Sequence, residues 1–245
     1  MEITKKTALI TGGAQGLGKE IAANLFEQGY LTIIFDIQRF ENIPDVYREA
    51  ITDYFEIDLA HFGAANVLVD KVLKKYRKID VLINNAATRM FKNFSEFDES
   101  EIERYINVNF RTPILLIKKV YPFMKKNGYG RIINISSVSA FSGYSLGSMY
   151  CSTKCALATF TESFAREVST KNDVTINAIC PDSFRTIAGE DLNGYDHIIR
   201  SINHEINNIL TSSRNGEVLL ILRKKTRLVK LVGEFKKRLR WLMRA

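Results

Sequence analysis

The sequence predicts an α/β fold, a single doubly wound parallel sheet with helices on both faces. Three observations carry that reading. Short apolar runs alternate with longer segments of helical spacing from residue 7 to about 222. The first run, Thr7-Ala8-Leu9-Ile10-Thr11, enters Gly12-Gly13-Ala14-Gln15-Gly16-Leu17-Gly18 directly, and the helical pattern Leu17, Ile21, Leu25 follows. The 245 residues, 46% hydrophobic, suffice for one sizeable core, and no internal repeat or low-complexity stretch divides them.

Taken in order, strands are expected near 7–11, 31–36, 53–57, 79–83, 130–135, 173–179 and 216–222. Their apolar runs suit strands covered on both faces. Helices are expected near 17–28, 63–77, 98–126, 150–170 and 195–210. Parallel strands need crossovers, and these segments supply them. Polar residues dominate 182–213, where Gly189 and Gly194 are candidate pivots of a substrate loop.

The turn after the first strand is a phosphate cradle. Glycines let the backbone turn tightly and approach a pyrophosphate, whose charge suits the amides at the helix start. The spacing is Gly-x-x-x-Gly-x-Gly from Gly12, with Gln15 just before Gly16 and Leu17 between Gly16 and Gly18. The second strand ends at Asp36, placed to accept hydrogen bonds from an adenosine ribose and to repel a 2′-phosphate. Gln15 and Ile37 leave the glycine loop and the strand end without the cation that a 2′-phosphate would need, although Arg39 is near. NAD is therefore the expected cofactor and NADP the less favoured one.

Near the middle of the chain, Tyr150 and Lys154 are four residues apart, on one face if 150–170 is helical. A phenol ionises near ~10, and moving that by about 3 units needs roughly 4 kcal/mol of differential stabilisation. An ammonium beside it favours the phenolate, so the pair reads as a general acid/base.

Together these residues resemble the short-chain dehydrogenase/reductase family over about residues 5–220. Thr11-Gly12-x-x-x-Gly16-x-Gly18 matches its cofactor motif, and Asp58-Leu59 its adenine-contacting pair. Asn84-Asn85-Ala86-Ala87 matches its Asn-Asn-Ala-Gly, with Ala87 for the glycine. Asn109, Ser137, Tyr150 and Lys154 fall in the order of its catalytic tetrad, and Pro181 and Thr186 match its nicotinamide loop. Asp182 stands where that loop has glycine, so left-handed backbone strain is expected there.

The resemblance implies a Rossmann-like fold and hydride transfer between a nicotinamide cofactor and a small carbonyl or hydroxyl compound. It implies Tyr150 as general acid/base and Ser137 bonding the substrate oxygen. Lys154 would lower the Tyr150 pKa and bond the nicotinamide ribose. Asn109 would hold a water that links Lys154 to solvent. Arg89 and Tyr144 are candidate substrate contacts, with Met90, Ser139, Phe141, Leu146 and Arg185 around them. The alternative is a dinucleotide-binding regulatory protein with little turnover, motivated by Asp182 and Ala87.

Charge narrows the partners. The net +8 is concentrated in residues 223–244, which hold ten Lys/Arg and one acid, leaving a body of net charge −1. Nucleic-acid binding by the body has no electrostatic support. Leu228, Leu231, Val232, Phe235, Leu239 and Leu242 make 223–245 a candidate basic amphipathic helix, docked in preference to lying on a membrane. Cys151, Cys155 and Cys180 have no metal-like spacing and read as small buried thiols in a reduced cytoplasmic compartment. A homodimer or homotetramer is expected, with Leu115, Leu116, Leu157 and Phe160 offering apolar surface on the long helices.

Overall fold

A computed structural model describes residues 4–61, 63–168, 171–182, 196–221 and, for the backbone alone, 229–230. Seven strands form a parallel sheet: β1 (Thr7–Thr11), β2 (Leu31–Asp36), β3 (Asp53–Glu56), β4 (Val81–Asn84), β5 (Tyr129–Ile135), β6 (Asp173–Pro181) and β7 (Val218–Ile221). An eighth, β8 (Val229–Lys230), pairs antiparallel with β7, and the order is β3-β2-β1-β4-β5-β6-β7-β8. Those two residues are thus extended where the apolar spacing had suggested a helix from Leu228. Pairing with an open sheet edge overrides local periodicity there. The rest of the predicted tail helix lies outside the described residues, as does Thr186.

Seven helices are described: α1 (Gly16–Glu27), α2 (Asp45–Arg48), α3 (Ala64–Tyr76), α4 (Glu99–Ile106), α5 (Thr112–Asn127), α6 (Ser148–Ala165) and α7 (Asp196–Thr211). Strand alternation divides the core between the two faces of the sheet. In β1, Leu9 packs with Val69 and Val72 of α3 and Leu116 and Val120 of α5. Its neighbours Ala8 and Ile10 pack with Ile21 and Leu25 of α1 and Ile202 and Ile206 of α7. Helices on both faces therefore shield all the central strands, as their apolar runs require.

The single helix expected over 98–126 is α4 and α5 joined by a π turn at Asn107–Arg111. α4 starts with a capping box, in which Asp98 accepts from the Glu101 N–H at 2.9 Å and Glu101 accepts from the Asp98 N–H at 3.1 Å. Pro113 supplies no N–H to the turn before it, and there the hydrogen-bond ladder changes register. Asn109 sits at the centre of that turn, which aims its side chain inward.

Two expectations about helix faces change. Leu116 and Leu157 are buried against the sheet, leaving Leu115 and Phe160 partly exposed on these helices. Cys151 and Cys180 are buried, but Cys155 is exposed.

Candidate active site

The chain reverses its direction of winding between β1 and β4, and a cleft of about 510 Å³ opens at their carboxyl ends. Its floor is the glycine loop. Gly12 and Gly16 have φ of +66° and +53°, in the left-handed region. A Cβ on Gly18 would come within 1.9 Å of the Gly12 carbonyl oxygen, so that position admits only glycine without the loop moving. Gln15 precedes the first turn of α1, and Leu17 lines the cleft beside it. Thr11, the last residue of β1, accepts through Oγ1 from the N–H groups of Asn85 (3.0 Å) and Ala86 (3.1 Å). Asn85 Nδ2 in turn donates to the carbonyls of Thr11 (3.0 Å) and Gly12 (2.9 Å). Asn85 and Ala86 therefore brace the loop from β4 while also lining the cleft.

Asp36 lines the same cleft and is almost fully buried. One carboxylate oxygen accepts from Ala14 N–H at 2.9 Å and the other from Gln38 N–H at 3.0 Å. A carboxylate has about four lone-pair sites, so acceptors remain for ribose hydroxyls. The Gln38 side chain also donates to Gln15 Oε1 at 2.6 Å, closing the cleft rim with neutral groups.

Leu59 lines the cleft next to Asp58. Asp58 accepts from Ala60 N–H at 2.9 Å and from Arg104 at 2.8 Å. Burial pushes the Asp58 carboxyl up, but the Arg104 and Ala60 bonds outweigh it and hold it below its ordinary value. Arg104 was absent from the sequence reading. It lies 46 residues from Asp58, and no local pattern marks it.

At the far end, Ser137, Tyr150 and Lys154 line one wall. Lys154 is buried, and its Nζ donates to the Ile135 carbonyl at 2.7 Å and lies 5.8 Å from the Tyr150 ring centre. Ser136 Oγ donates to the Lys154 carbonyl at 2.8 Å, tying α6 to the end of β5. Burial lowers the Lys154 pKa to about 8. Burial also holds the Tyr150 phenol above its ordinary 10, against the Ser137 hydrogen bond and the Arg89 charge, which lower it. The depressed phenol expected from Lys154 is therefore not what these protein groups produce by themselves; the loss of solvent around the ring outweighs the Ser137 hydrogen bond and the Arg89 charge. Beside them, burial pushes the Cys180 thiol up to about 12, leaving it unreactive.

Asn109 is fully buried and stands behind this wall, outside the cleft lining. Its Oδ1 accepts from Thr88 N–H at 2.8 Å, and its Nδ2 donates to the Thr88 carbonyl (3.0 Å) and Thr153 Oγ1 (3.1 Å). Both amide hydrogens are thus spent on protein, and one acceptor lone pair remains for the expected water. Pro181 and Asp182 close the cleft. Asp182 donates its N–H to Ile221 O at 2.7 Å. Among the described residues the non-glycine positive φ angles are at Arg77 and Leu146, so the strain expected at Asp182 is absent. The described residues hold no cluster of metal-ligating side chains, and none of their helices is long and apolar enough to cross a membrane.

Comparison with known proteins agrees with this geometry. The sequence profile of the short chain dehydrogenase family matches residues 6–194. The chain is 32% identical over 186 residues to the uncharacterized oxidoreductase YxjF of Bacillus subtilis, covering 72% of this chain and 70% of that one. It is 30% identical over 197 residues to the 3-oxoacyl-[acyl-carrier-protein] reductase FabG of Thermotoga maritima, covering 78% and 79%. Among solved structures, NAD+-bound xylitol dehydrogenase superposes with a TM-score of 0.74 at 23% identity, covering 88% of this chain and 97% of that one. ElxO with NADP bound superposes with a TM-score of 0.75 at 26% identity, covering 89% and 97%.

Proposed function

Because the chain belongs to the short-chain dehydrogenase/reductase family, we propose that it transfers a hydride between NAD(H) and a small carbonyl or hydroxyl compound, with Tyr150 as general acid/base. The observation that carries this reading is the convergence of Ser137, Tyr150 and Lys154 on one wall of a cleft whose other end is the glycine loop and Asp36.

The residues present fit a nicotinamide dinucleotide. Positive φ at Gly12 and Gly16 turns the loop beneath the start of α1, and Gly18 lets the loop pack against the helix. The bound dinucleotide would supply the hydride donor or acceptor. The chain's own residues handle the proton. Burial favours the neutral form of the Tyr150 phenol, and a neutral phenol can donate the proton in carbonyl reduction. Ser137 Oγ, which accepts from Ser139 N–H at 3.1 Å, is held to meet the substrate oxygen where charge develops. Lys154 brings a buried cation to the same wall and would bond the nicotinamide ribose of the bound dinucleotide. Asn109, by clamping both polar atoms of the Thr88 backbone, fixes the segment opposite Tyr150.

Of the two solved neighbours, one has NAD+ bound and the other NADP, so the preference for NAD rests on Asp36. A 2′-phosphate beside this buried carboxylate would meet like charge in a low-dielectric setting. The chain is proposed to work as a homodimer or homotetramer. Asp182, which had favoured a non-catalytic reading, lies in unstrained backbone.

Turnover of a panel of ketones, aldehydes and alcohols with NAD(H) and NADP(H) tests the proposal. Oxidation or reduction of at least one compound, faster with NAD(H), is expected. Tight dinucleotide binding with no turnover across the panel would overturn it.

A further inference from the structure

Beyond Tyr150, the cleft wall carries a cation, Arg89, that forms no ion pair with a carboxylate among the described residues. The Arg89 guanidinium carbon lies 4.4 Å from the Phe91 ring centre, 5.1 Å from that of Tyr150 and 6.0 Å from that of Tyr144. Arg104, Arg131 and Arg214 each meet an acid. Arg89 meets none among the described residues, and its buried Nε has no hydrogen-bond acceptor. Aromatic faces attract the cation but offer nothing in the plane of its N–H groups, so the fork of donors is left for a ligand.

A second polar atom is in the same condition. The Tyr144 hydroxyl is buried without a partner. Its ring is seated by close packing on Gly147, where a Cβ would come within 2.2 Å of it. The preceding Leu146 has φ of +65°, a conformation that costs a non-glycine residue energy. The turn between Ser139 and α6 thus accepts strain while holding an unsatisfied hydroxyl near an unpaired arginine. Buried polar groups are ordinarily hydrogen-bonded, and two that are not, one on a residue that lines the cleft and the other on a ring whose centre lies 6.0 Å from its guanidinium, point to a missing ligand.

We propose that Arg89 and the Tyr144 hydroxyl form a carboxylate-binding subsite, making the substrate a short oxo or hydroxy acid whose reacting carbon lies against Tyr150. This rests on the oxidoreductase reading above and narrows its substrate class. A guanidinium fork matches a carboxylate with two parallel charge-assisted hydrogen bonds, and a phenol adds a third donor.

The test compares 2-oxobutanoate and 3-oxobutanoate with their methyl esters, using NADH and the wild type, Arg89→Met, Arg89→Lys and Tyr144→Phe. The readout is the acid-to-ester ratio of kcat/KM. A ratio well above one is expected for the wild type. It should fall about 100-fold in Arg89→Met, which is about 2.7 kcal/mol at 1.36 kcal/mol per tenfold. The fall should be about tenfold in Tyr144→Phe, and Arg89→Lys should recover only part of the ratio, having charge without the fork. An Arg89 that serves only packing, or only the ionisation of Tyr150, would slow acid and ester alike, and an unchanged ratio in Arg89→Met overturns the subsite.

Calorimetric titration of the protein–NADH complex with butanoate and butanamide supplies an arm independent of turnover. Butanoate binding that Arg89→Met abolishes supports the subsite even if none of the substrates reacts, an outcome that would count against the oxidoreductase reading alone. Equal affinity for butanoate and butanamide overturns the subsite whatever the turnover.

Discussion

The Asp36 carboxylate accepts a hydrogen bond from the backbone N–H of Ala14 across 2.9 Å, so the end of β2 and the glycine loop form one unit. The residue that would select the cofactor also holds the loop that would bind its phosphates. Substitutions at Asp36 therefore separate two effects. Asp36→Asn keeps an acceptor for Ala14 and removes the charge; it should narrow the NADH-over-NADPH preference about tenfold with little loss of NADH affinity. Asp36→Ala removes both, and should also weaken both dinucleotides by about tenfold, the scale of a lost charge-assisted hydrogen bond. Fluorescence titration of the variants reads both numbers. Tighter NADPH than NADH binding in the wild type would show that the charge of Asp36 does not govern the choice.

Tyr150→Phe deletes one hydroxyl from a ring packed on α6. Dinucleotide affinity should stay within about threefold of wild type while turnover falls by about 100-fold to 10,000-fold, the usual worth of a positioned proton donor. Steady-state kinetics beside equilibrium binding checks this. A kcat close to wild type would remove Tyr150 from the mechanism.

Lys154 has a stability signature that depends on pH. Burial holds it at about 8 in the folded chain, below the ordinary lysine value near ~10.4. Between those values the unfolded chain binds more protons, so stability rises with pH across the window. Relative to Lys154→Met, the cofactor-free wild type should gain up to about 3 kcal/mol between pH ~7.5 and pH ~10.5. Urea unfolding at a series of pH values measures the difference. A difference that shrinks with rising pH would mean that Lys154 is stabilised as a cation in the folded state.

Apolar side chains remain on the outer faces of α5 and α6. Tyr121 and Phe164 meet edge to face with ring centres 5.2 Å apart, and Phe160 stacks on Phe164 at 5.6 Å. All three are only partly buried. A homodimer or homotetramer that covers them is expected by light scattering at micromolar concentration, and Phe160→Glu should shift it toward monomer. A wild-type monomer would rule this assembly out.

The strand–glycine turn–helix order was legible in the chain because it is written locally. Consecutive apolar residues, a turn that needs positive φ at Gly12 and Gly16, and the Leu17-Ile21-Leu25 stripe each act within a few residues. The same holds for Tyr150 and Lys154, whose separation by one helical turn places them on a common wall. Thr11 and Thr153 stood inside the recognised motifs, but nothing in their own neighbourhood marked them as the partners of Asn85 and Asn109.

Contacts between distant segments were decided only by the tertiary structure. Arg104 reaches Asp58 and Asn109 reaches Thr88 through the docking of α4, the π turn and α5 across the carboxyl ends of the strands. The cage of Phe91, Tyr144 and Tyr150 around Arg89 joins loops that follow β4 and β5 to the start of α6. The upward push on the Tyr150 phenol is likewise a burial effect, set by everything packed around the ring. Side-chain periodicity specifies which face of an element is buried, because that depends on neighbours one turn or two residues away. Which polar groups then meet in the cleft depends on where whole elements come to rest, and no local spacing in the chain encodes that.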